Sequence, residues 1–435
     1  MNTIIKQKSF MNSQNSFLRI LVFFVFVLIP AGTNALTTSP KVEVSGWIPY
    51  WRTATGTADA MQHLDVFTEI NPFVYTVKLD GTLYDAGKMG EEPWLSLQKA
   101  AQAKKIRYIP TVMWSNAEAM HRILSKQKTR IALEDEITAL VKEKGFDGID
   151  IDFEGKKAET KTYFSTFLKG LYQRMGKKWV MCTIESRTPI ADRYFGVTPP
   201  KDAGIYSNDF VAINKYCDRV RIMAYDQQGI DLALADKHKS ELYAPVADTE
   251  WVEKTMKFIA KTISKKKLVI GVPTYGYEYD VTAYADGYVY DLLWSFNPGY
   301  ALPIAKAYGL SPVRSSTGEL NFSYTPTSTI ASLPPPEAST TPVMISADET
   351  SASGLPPSEA STTPMTALTL GNEAAKFALY IASSTNTHLT FRSMWWSDAE
   401  AIKRKIELAK KLGVRGIAIF KIDGGEDPGI WNVLK

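Results

Sequence analysis

The acidic residues between positions 146 and 155, where the sequence reads FDGIDIDFEG, carry the clearest chemistry in this chain. In a β-strand, side chains two residues apart point to the same side, which would place Asp150, Asp152 and Glu154 on one face. Carboxyl groups crowded into a partly desolvated place repel one another, and this repulsion lets one of them keep its proton near neutral pH. The pattern predicts a general acid rather than a solvated acidic strand, because the residues on the opposite face are strongly apolar.

Two motifs resemble those of one known family. The spacing Asp147-x-x-Asp150-x-Asp152-x-Glu154 resembles the signature of glycoside hydrolase family 18, the chitinases and related N-acetylglucosaminidases. The segment RIMAYD at residues 221–226 is similar to the family's Met-x-Tyr-Asp motif. Four acids at fixed spacing make a specific pattern, and the resemblance covers most of the chain.

The resemblance implies a role for each matching residue. Glu154 resembles the acid that protonates the glycosidic oxygen, Asp152 the neighbour that holds the substrate's acetamido N–H, and Tyr225 the group that steadies the acetamido carbonyl. Asp150 would tune Asp152 by sharing a proton. Asp147 falls on the other face by alternation, so we expect a structural role for it although the motif groups it with the substrate-binding residues. The nucleophile would be the substrate's own acetamido oxygen, with net retention and without a cofactor or metal.

Further residues at the ends of predicted strands are candidates for binding the sugar. Aromatic side chains there offer platforms for a sugar ring, although each of the four candidate tryptophans, at 51, 114, 395 and 396, is as readily a core residue. Family members usually place a Trp on the eighth strand as the floor of the site, whereas this chain has Phe420, which predicts a smaller floor. The additional predicted substrate-binding residues are Trp51, Trp114, Glu185, Met223, Asp226 and Phe420.

Eight strand-like segments, mostly followed by helical ones, predict a parallel (β/α)8 barrel. An open doubly wound sheet is less well supported, because no Gly-rich phosphate loop follows the first strand. In such barrels the catalytic groups lie at the carboxyl ends of the strands. The predicted strands are 42–51, 67–78, 107–114, the acidic stretch, 179–187, 217–227, 267–280 and 415–425.

The barrel is predicted to comprise residues 42–280 and 398–435. Residues 281–397 are too many for one barrel helix and predict an insertion between strands seven and eight. Within it, residues 321–325 and 389–395 are predicted to pair as strands. The repeated sequences LPPPEASTTP and LPPSEASTTP predict a disordered loop over about residues 326–370, because they cannot bury enough apolar surface to fold.

The beginning of the chain predicts export. Basic residues precede an apolar run at 20–29, and small residues follow it, so residues 1–35 read as a signal peptide. An uncleaved anchor, which would tether the protein to a membrane, is the alternative. We therefore expect a secreted or cell-envelope protein. A net charge of +4 is too weak to suggest nucleic acid, and we expect a monomer.

The cysteines and histidines predict neither a disulfide framework nor a metal site. Cys182 is expected to point into the helix layer and Cys217 to lie at a different depth, which argues against a disulfide. The four histidines are scattered without ligand spacing.

Two other functional interpretations remain open. Glu154 and Glu278 could form the acid and nucleophile of a two-carboxylate retaining glycosidase, with carboxyls about 5 to 5.5 Å apart, although such enzymes usually have Asn where this chain has Phe153. A lectin-like barrel would bind sugar without cutting it. The sequence leaves open whether the polymer is chitin, peptidoglycan or a glycoprotein glycan.

Overall fold

The computed structural model describes residues 42–326 and 371–435. The predicted signal peptide and nearly all of the predicted Pro/Ser/Thr loop lie outside the described residues, so both stay predictions. In the described part of the chain, no helix is long and apolar enough to cross a bilayer.

Eight parallel strands close into a barrel, which confirms the predicted (β/α)8 fold. Each strand pairs with the next in parallel register, and the eighth pairs with the first to complete the ring. The third strand is preceded by a short piece, Arg107–Tyr108, and Leu83–Asp85 adds an antiparallel extension to the second. The barrel strands are Glu43–Pro49, Glu69–Val77, Thr111–Trp114, Gly148–Phe153, Trp179–Glu185, Arg219–Met223, Leu268–Pro273 and Gly416–Phe420.

Helices surround the barrel and cover the outward-facing apolar side chains. Phe153, on the fourth strand, packs on Phe164 and Phe167 of the helix Lys161–Met175, with ring centroids 5.9 and 5.3 Å away. The alternate residues of each strand point into the barrel. The α-helices outside the insertion are Thr53–Gln62, Trp94–Ala103, Ala117–Leu124, Gln127–Glu143, Lys161–Met175, Ile190–Arg193, Phe210–Tyr216, Leu232–Lys237, Thr249–Ile259, Ala399–Leu412 and Ile430–Val433.

The insertion between the seventh and eighth strands contains an antiparallel sheet. The predicted pairing of its later strands is present, with Asn321 opposite Trp395. Two helices, Pro298–Ala307 and Glu373–Thr385, accompany the sheet. Its strands, in spatial order, are Gly287–Phe296, Gly276–Tyr284, Leu389–Trp396, Leu320–Tyr324 and Val313–Arg314.

The start of the insertion differs from the prediction. We expected one strand over residues 267–280, but the barrel strand ends at Pro273 and Gly276–Tyr284 belongs to the insertion sheet. Only two residues separate the two strands, so the sequence reads as one strand and does not show where the chain passes from the barrel to the insertion sheet. Glu278 therefore lies in the insertion and not at the end of a barrel strand.

Cys182 and Cys217 form a disulfide, with their Cα atoms 5.9 Å apart, so the prediction of separate thiols was wrong. Cys182 is fully buried on the outer side of the fifth strand. Cys217 ends the helix Phe210–Tyr216 just before the sixth strand. Because Cys182 pairs with Val220 on that neighbouring strand, Cys217 lies close enough to reach it.

Candidate active site

The fourth strand brings its carboxyl groups into the barrel in the predicted order. Asp150 and Asp152 are buried, with 0% and 3% of their surface exposed, and Glu154 follows the end of the strand at the mouth of the barrel, where it is half-buried. Catalytic groups of such barrels lie at this carboxyl end. We call these three residues the acid column.

Asp150, the base of the acid column, is heavily hydrogen-bonded. Its carboxylate accepts hydrogen bonds from the Trp47 indole N–H at 3.1 Å and the Thr111 hydroxyl at 2.9 Å. The Thr183 hydroxyl donates at 3.0 Å, and the guanidinium of Arg221 lies 2.8 Å away. Burial raises the pKa of Asp150 to about 6, and the hydrogen bonds limit this rise.

Both upper carboxyls of the acid column have raised pKa values. Burial raises the pKa of Asp152 well above its usual range, and the charges of Glu154 and Asp150 raise it further. Burial also raises the pKa of Glu154 to about 7, with the charge of Glu185 as the next cause. A carboxyl group with a pKa near 7 can both keep and release a proton, so Glu154 is suited to general acid catalysis.

Glu185, at the end of the fifth strand, lies next to the acid and stays ionised. Its carboxylate accepts hydrogen bonds from the Gly155 backbone N–H at 3.0 Å and from Asn208 at 2.6 Å. The ammonium of Lys156 lies 3.6 Å away. Burial would raise the pKa of Glu185, but Lys156 and these hydrogen bonds lower it below its usual range. Glu185 therefore presents a fixed negative charge to its neighbours.

Aromatic rings line the interior of the barrel near the acid column. Tyr225 and Phe420 are stacked, with centroids 5.6 Å apart and planes 13° apart. Phe420 also meets the ring of Trp47 edge-on at 6.0 Å, while Trp51 packs edge-on against Phe73 at 5.9 Å. Burial and the nearby carboxylates raise the pKa of Tyr225, so its hydroxyl stays a hydrogen-bond donor.

Asp226 and Met223, the other residues of the second motif, lie on the same wall. Asp226 accepts hydrogen bonds from the hydroxyls of Tyr275 at 2.5 Å and Tyr277 at 2.7 Å. Its φ of 56° marks the left-handed turn that ends this segment. Met223 is in register with Glu185, on the inward face of the sixth strand. Direct contact of either residue with substrate stays a prediction.

Two residues predicted to bind substrate lie elsewhere. Trp114 is 2% exposed and points out of the barrel against Phe153, 5.3 Å away, because alternation gives the inward positions to its neighbours on the strand. Asp147 lies at the opposite, amino end of the fourth strand, where its carboxylate accepts the Tyr108 N–H at 2.8 Å. This position fits the structural role that alternation suggested for Asp147, and neither residue faces the mouth.

Three insertion residues considered for the site are buried within the insertion. Glu278 is 0% exposed, accepts a hydrogen bond from the Tyr324 hydroxyl at 2.5 Å and forms an ion pair with Arg392 at 3.2 Å. Trp395 and Trp396 are also buried, at 0% and 1% exposure. None of the three presents its side chain to a substrate.

Sequence reasoning missed three residues that act on the acid column. Trp47 and Arg221 contact Asp150, and Lys156 lies beside Glu185. Alternation could have placed Arg221 inside the barrel, since it is two residues before Met223. No pattern in the sequence indicates which carboxylate each of them would meet, because strand register decides that.

The fold and the site together define a barrel suited to general acid catalysis. A carboxyl group whose pKa is raised to about 7 lies at the barrel mouth, and a tyrosine stacked on a phenylalanine lies near the acid column. Within residues 42–326 and 371–435, no three histidines, cysteines or acids are grouped so as to hold a metal.

The pattern of glycosyl hydrolases family 18 matches residues 49–425, and the chain belongs to that family. The resemblance seen in the two motifs is thereby confirmed.

The chain is similar to known proteins both in sequence and in structure. The chain is 27% identical over 200 residues to the uncharacterized glycosylase YvbX of Bacillus subtilis, covering 44% of this chain and 54% of that protein, about half its length. The structure is similar to the spore cortex-lytic enzyme SleL of Bacillus megaterium, with a TM-score of 0.60, 17% identity and coverage of 90% of this chain and 73% of that one. It is also similar to a chitinase of Chromobacterium violaceum, with a TM-score of 0.61, 16% identity and coverage of 90% and 98%.

Proposed function

We propose that the protein hydrolyses β-1,4 bonds next to N-acetylglucosamine in chitin or peptidoglycan by substrate-assisted retaining catalysis, with Glu154 as the acid/base. The observation that carries this proposal is the acid column, in which Glu154, with a pKa of about 7, lies at the mouth above Asp152, whose pKa is also raised. Similarity to a cortex-lytic enzyme and to a chitinase supports both polymers as candidates.

The proposed reaction has two steps. Glu154 gives its proton to the glycosidic oxygen while the substrate's 2-acetamido oxygen attacks the anomeric carbon, which breaks the glycosidic bond and forms an oxazolinium ion. Asp152 accepts a hydrogen bond from the acetamido N–H, and the Tyr225 hydroxyl donates one to the carbonyl oxygen. Water then attacks the anomeric carbon and gives its proton to the Glu154 carboxylate, while the bond between the anomeric carbon and the acetamido oxygen breaks. This step restores the acid and the acetamido group and retains the configuration.

A second enzymic carboxylate is not needed, and the position of Glu278 supports this. Its carboxylate is buried and is held by Tyr324, Trp294 and Arg392 of the insertion sheet. A two-carboxylate mechanism would require a nucleophile about 5 to 5.5 Å from the acid. Glu278 is therefore a structural residue in this proposal.

Product analysis tests both the acid and the substrate. The protein and its Glu154→Gln variant are incubated with chitooligosaccharides and with purified peptidoglycan, and the products are separated by mass. We expect GlcNAc-ended products from at least one polymer, lost in the variant. If neither polymer is cut while binding is retained, the lectin-like interpretation replaces this proposal.

Export is also part of the proposal. The buried Cys182–Cys217 disulfide supports it, because such bonds persist mainly in oxidising compartments outside the cytoplasm. Fractionation of producing cells, followed by thiol labelling of the denatured protein, tests this point. A fully labelled, cytoplasmic protein would contradict export.

A further inference from the structure

The backbone on both sides of Glu154 is held by one ion pair. The buried ammonium of Lys156 donates a hydrogen bond to the carbonyl oxygen of Phe153, the residue before the acid. The carboxylate of Glu185 accepts the N–H of Gly155, the residue after the acid, at 3.0 Å. Lys156 and Glu185 lie 3.6 Å apart.

Both members of this pair are fixed by other groups. The side chain of Lys156 is 0% exposed, and its ammonium lies over the Phe164 ring at 4.8 Å. The side-chain amide of Asn208 donates a hydrogen bond to the Glu185 carboxylate. The backbone carbonyl oxygen of Asn208 in turn accepts a hydrogen bond from Arg187 at 3.1 Å. Burying an unpaired lysine ammonium would cost free energy of folding, and the carboxylate of Glu185 and the carbonyl oxygen of Phe153 offset this cost for Lys156.

We propose that the Lys156–Glu185 pair positions Glu154 for catalysis. The pair holds the backbone on both sides of Glu154, and its two charges set the electrostatic field at the Glu154 carboxyl. The inference deepens the proposed function and rests on Glu154 being the acid. Lys156 and Glu185 touch neither substrate nor the reacting atoms in this proposal; they act through Glu154.

The electrostatic part follows from the groups that face Glu154. Its own strand contributes Asp152 and, deeper, Asp150, and the segment after the sixth strand contributes Tyr225 and Asp226. Against this background Glu185 favours the protonated acid and Lys156 opposes it. The two charges of the pair therefore act on the pKa of Glu154 in opposite directions.

Two single substitutions separate these effects. Glu185→Gln keeps the shape and removes the negative charge, so the basic limb of the pH dependence of kcat/KM, which reports the acid, should move to lower pH by about one unit. Lys156→Met removes the positive charge and should move that limb to higher pH. The shift for Glu185→Gln is limited by water, because its side chain is 36% exposed.

A second buried pair offers a matched control. Lys405 and Glu319 are both 0% exposed and lie 3.7 Å apart, and Glu319 likewise accepts backbone N–H groups, from Val246 and Ala247. Lys405→Met and Glu319→Gln should lower the melting temperature but leave the basic limb where it is in the unmodified protein.

Direct titration keeps the inference testable without turnover. In protein labelled with ¹³C at glutamate carboxyls, Glu154→Gln identifies the Glu154 signal by its loss, and its titration midpoint is then followed by NMR in each variant. Opposite shifts in Glu185→Gln and Lys156→Met support the electrostatic control of Glu154 by this pair even if no polymer is cut, in which case the proposed function fails and the electrostatic part of the inference stands. If Lys156→Met does not fold, Glu185→Gln alone decides. An unmoved midpoint, or a shift to higher pH in Glu185→Gln, would overturn the inference.

Discussion

Both ends of the barrel hold acidic side chains, and the two clusters differ in what surrounds each carboxyl group. At the amino end, Glu43 faces three arginines, with Arg219 at 2.8 Å, Arg415 at 2.7 Å and Arg107 at 3.4 Å. At the mouth, Glu154 has mainly other acids and buried surface around it.

Opposite pKa shifts follow from this difference. Burial would raise the pKa of Glu43, but hydrogen bonds and charges from its arginines lower it to about 2. Burial raises the pKa of Glu154 to about 7, and the positive charge of Lys156 opposes this rise. The same barrel thus holds an ionised carboxylate, Glu43, at one end and a proton donor, Glu154, at the other. The number of neighbouring arginine and lysine side chains decides which of these two states each carboxyl group adopts.

The largest expected effect is on activity at the mouth. Glu154→Gln should lower kcat on the order of 10² to 10⁴-fold, because the amide cannot give a proton. The melting temperature should stay the same or rise, since the acid lies in a field that already disfavours its charge. Steady-state kinetics and calorimetry on the same sample check both points; a marked loss of melting temperature would mean that Glu154 is also a structural residue.

At the amino end the same type of change should affect stability instead. Glu43→Gln leaves three arginines without their shared carboxylate and should lower the free energy of unfolding by about 2 kcal/mol, with kcat per folded molecule unchanged. The lowered pKa of Glu43 means that its contribution is present above its ordinary value of 4.5 and is lost as the pH falls towards 2. Urea unfolding at pH 7 and pH 3 should therefore show a smaller difference between variant and unmodified protein at the lower pH.

The sequence predicts the acid column well because alternation along one strand is enough to define it. Asp150, Asp152 and Glu154 need no partner strand to share a face, and their order from floor to mouth follows from chain direction. The (β/α)8 fold follows in the same way from the repeated strand and helix pattern. These features depend on local spacing alone.

Features that depend on register between strands escaped prediction. The Cys182–Cys217 disulfide joins the fifth strand to the end of the helix Phe210–Tyr216, and the Lys156–Glu185 pair joins the ends of two neighbouring strands. The number of residues between the two partners does not predict that either pair lies close together in space. Trp114 shows the converse error, because a tryptophan at a strand end suggested a sugar platform although alternation already placed it outside.

Asp150 has properties of both ends, so its replacement should sharpen the comparison. It is buried like the upper acids, yet it forms an ion pair with Arg221 at 2.8 Å. Asp150→Asn removes a negative charge that raises the pKa of Asp152 and should lower kcat about tenfold, on the order of 1.4 kcal/mol of barrier. Arg221 keeps Glu69 as a partner, so the loss of stability should be smaller than for Glu43→Gln.

Measuring kcat together with urea unfolding tests this dual role of Asp150. Thr183→Val is the matched control, because it removes one neutral hydrogen bond to the same carboxylate without changing any charge. If Asp150→Asn altered stability alone, Asp150 would belong with the carboxylates of the amino end.

The smallest expected effect concerns a raised pKa outside the site. Glu426 accepts three backbone N–H groups at 3.0 to 3.2 Å. Burial raises its pKa to about 9, and a hydrogen bond to Asp59 adds to the rise. Its contribution to stability is therefore complete below its ordinary value of 4.5 and declines as the pH rises towards 9.

Glu426→Gln stays neutral at every pH and should be more stable than the unmodified protein at pH 9, by about 1 kcal/mol, the equivalent of roughly one pKa unit. At pH 4 the two proteins should be alike, and kcat should be unchanged. Urea unfolding at both pH values checks this. Equal stability at pH 9 would show that burial without a cationic partner is not sufficient to keep a carboxyl protonated in this fold. The raised pKa of Glu154 would then have to depend mainly on the charge of Glu185, which the Glu185→Gln variant measures directly.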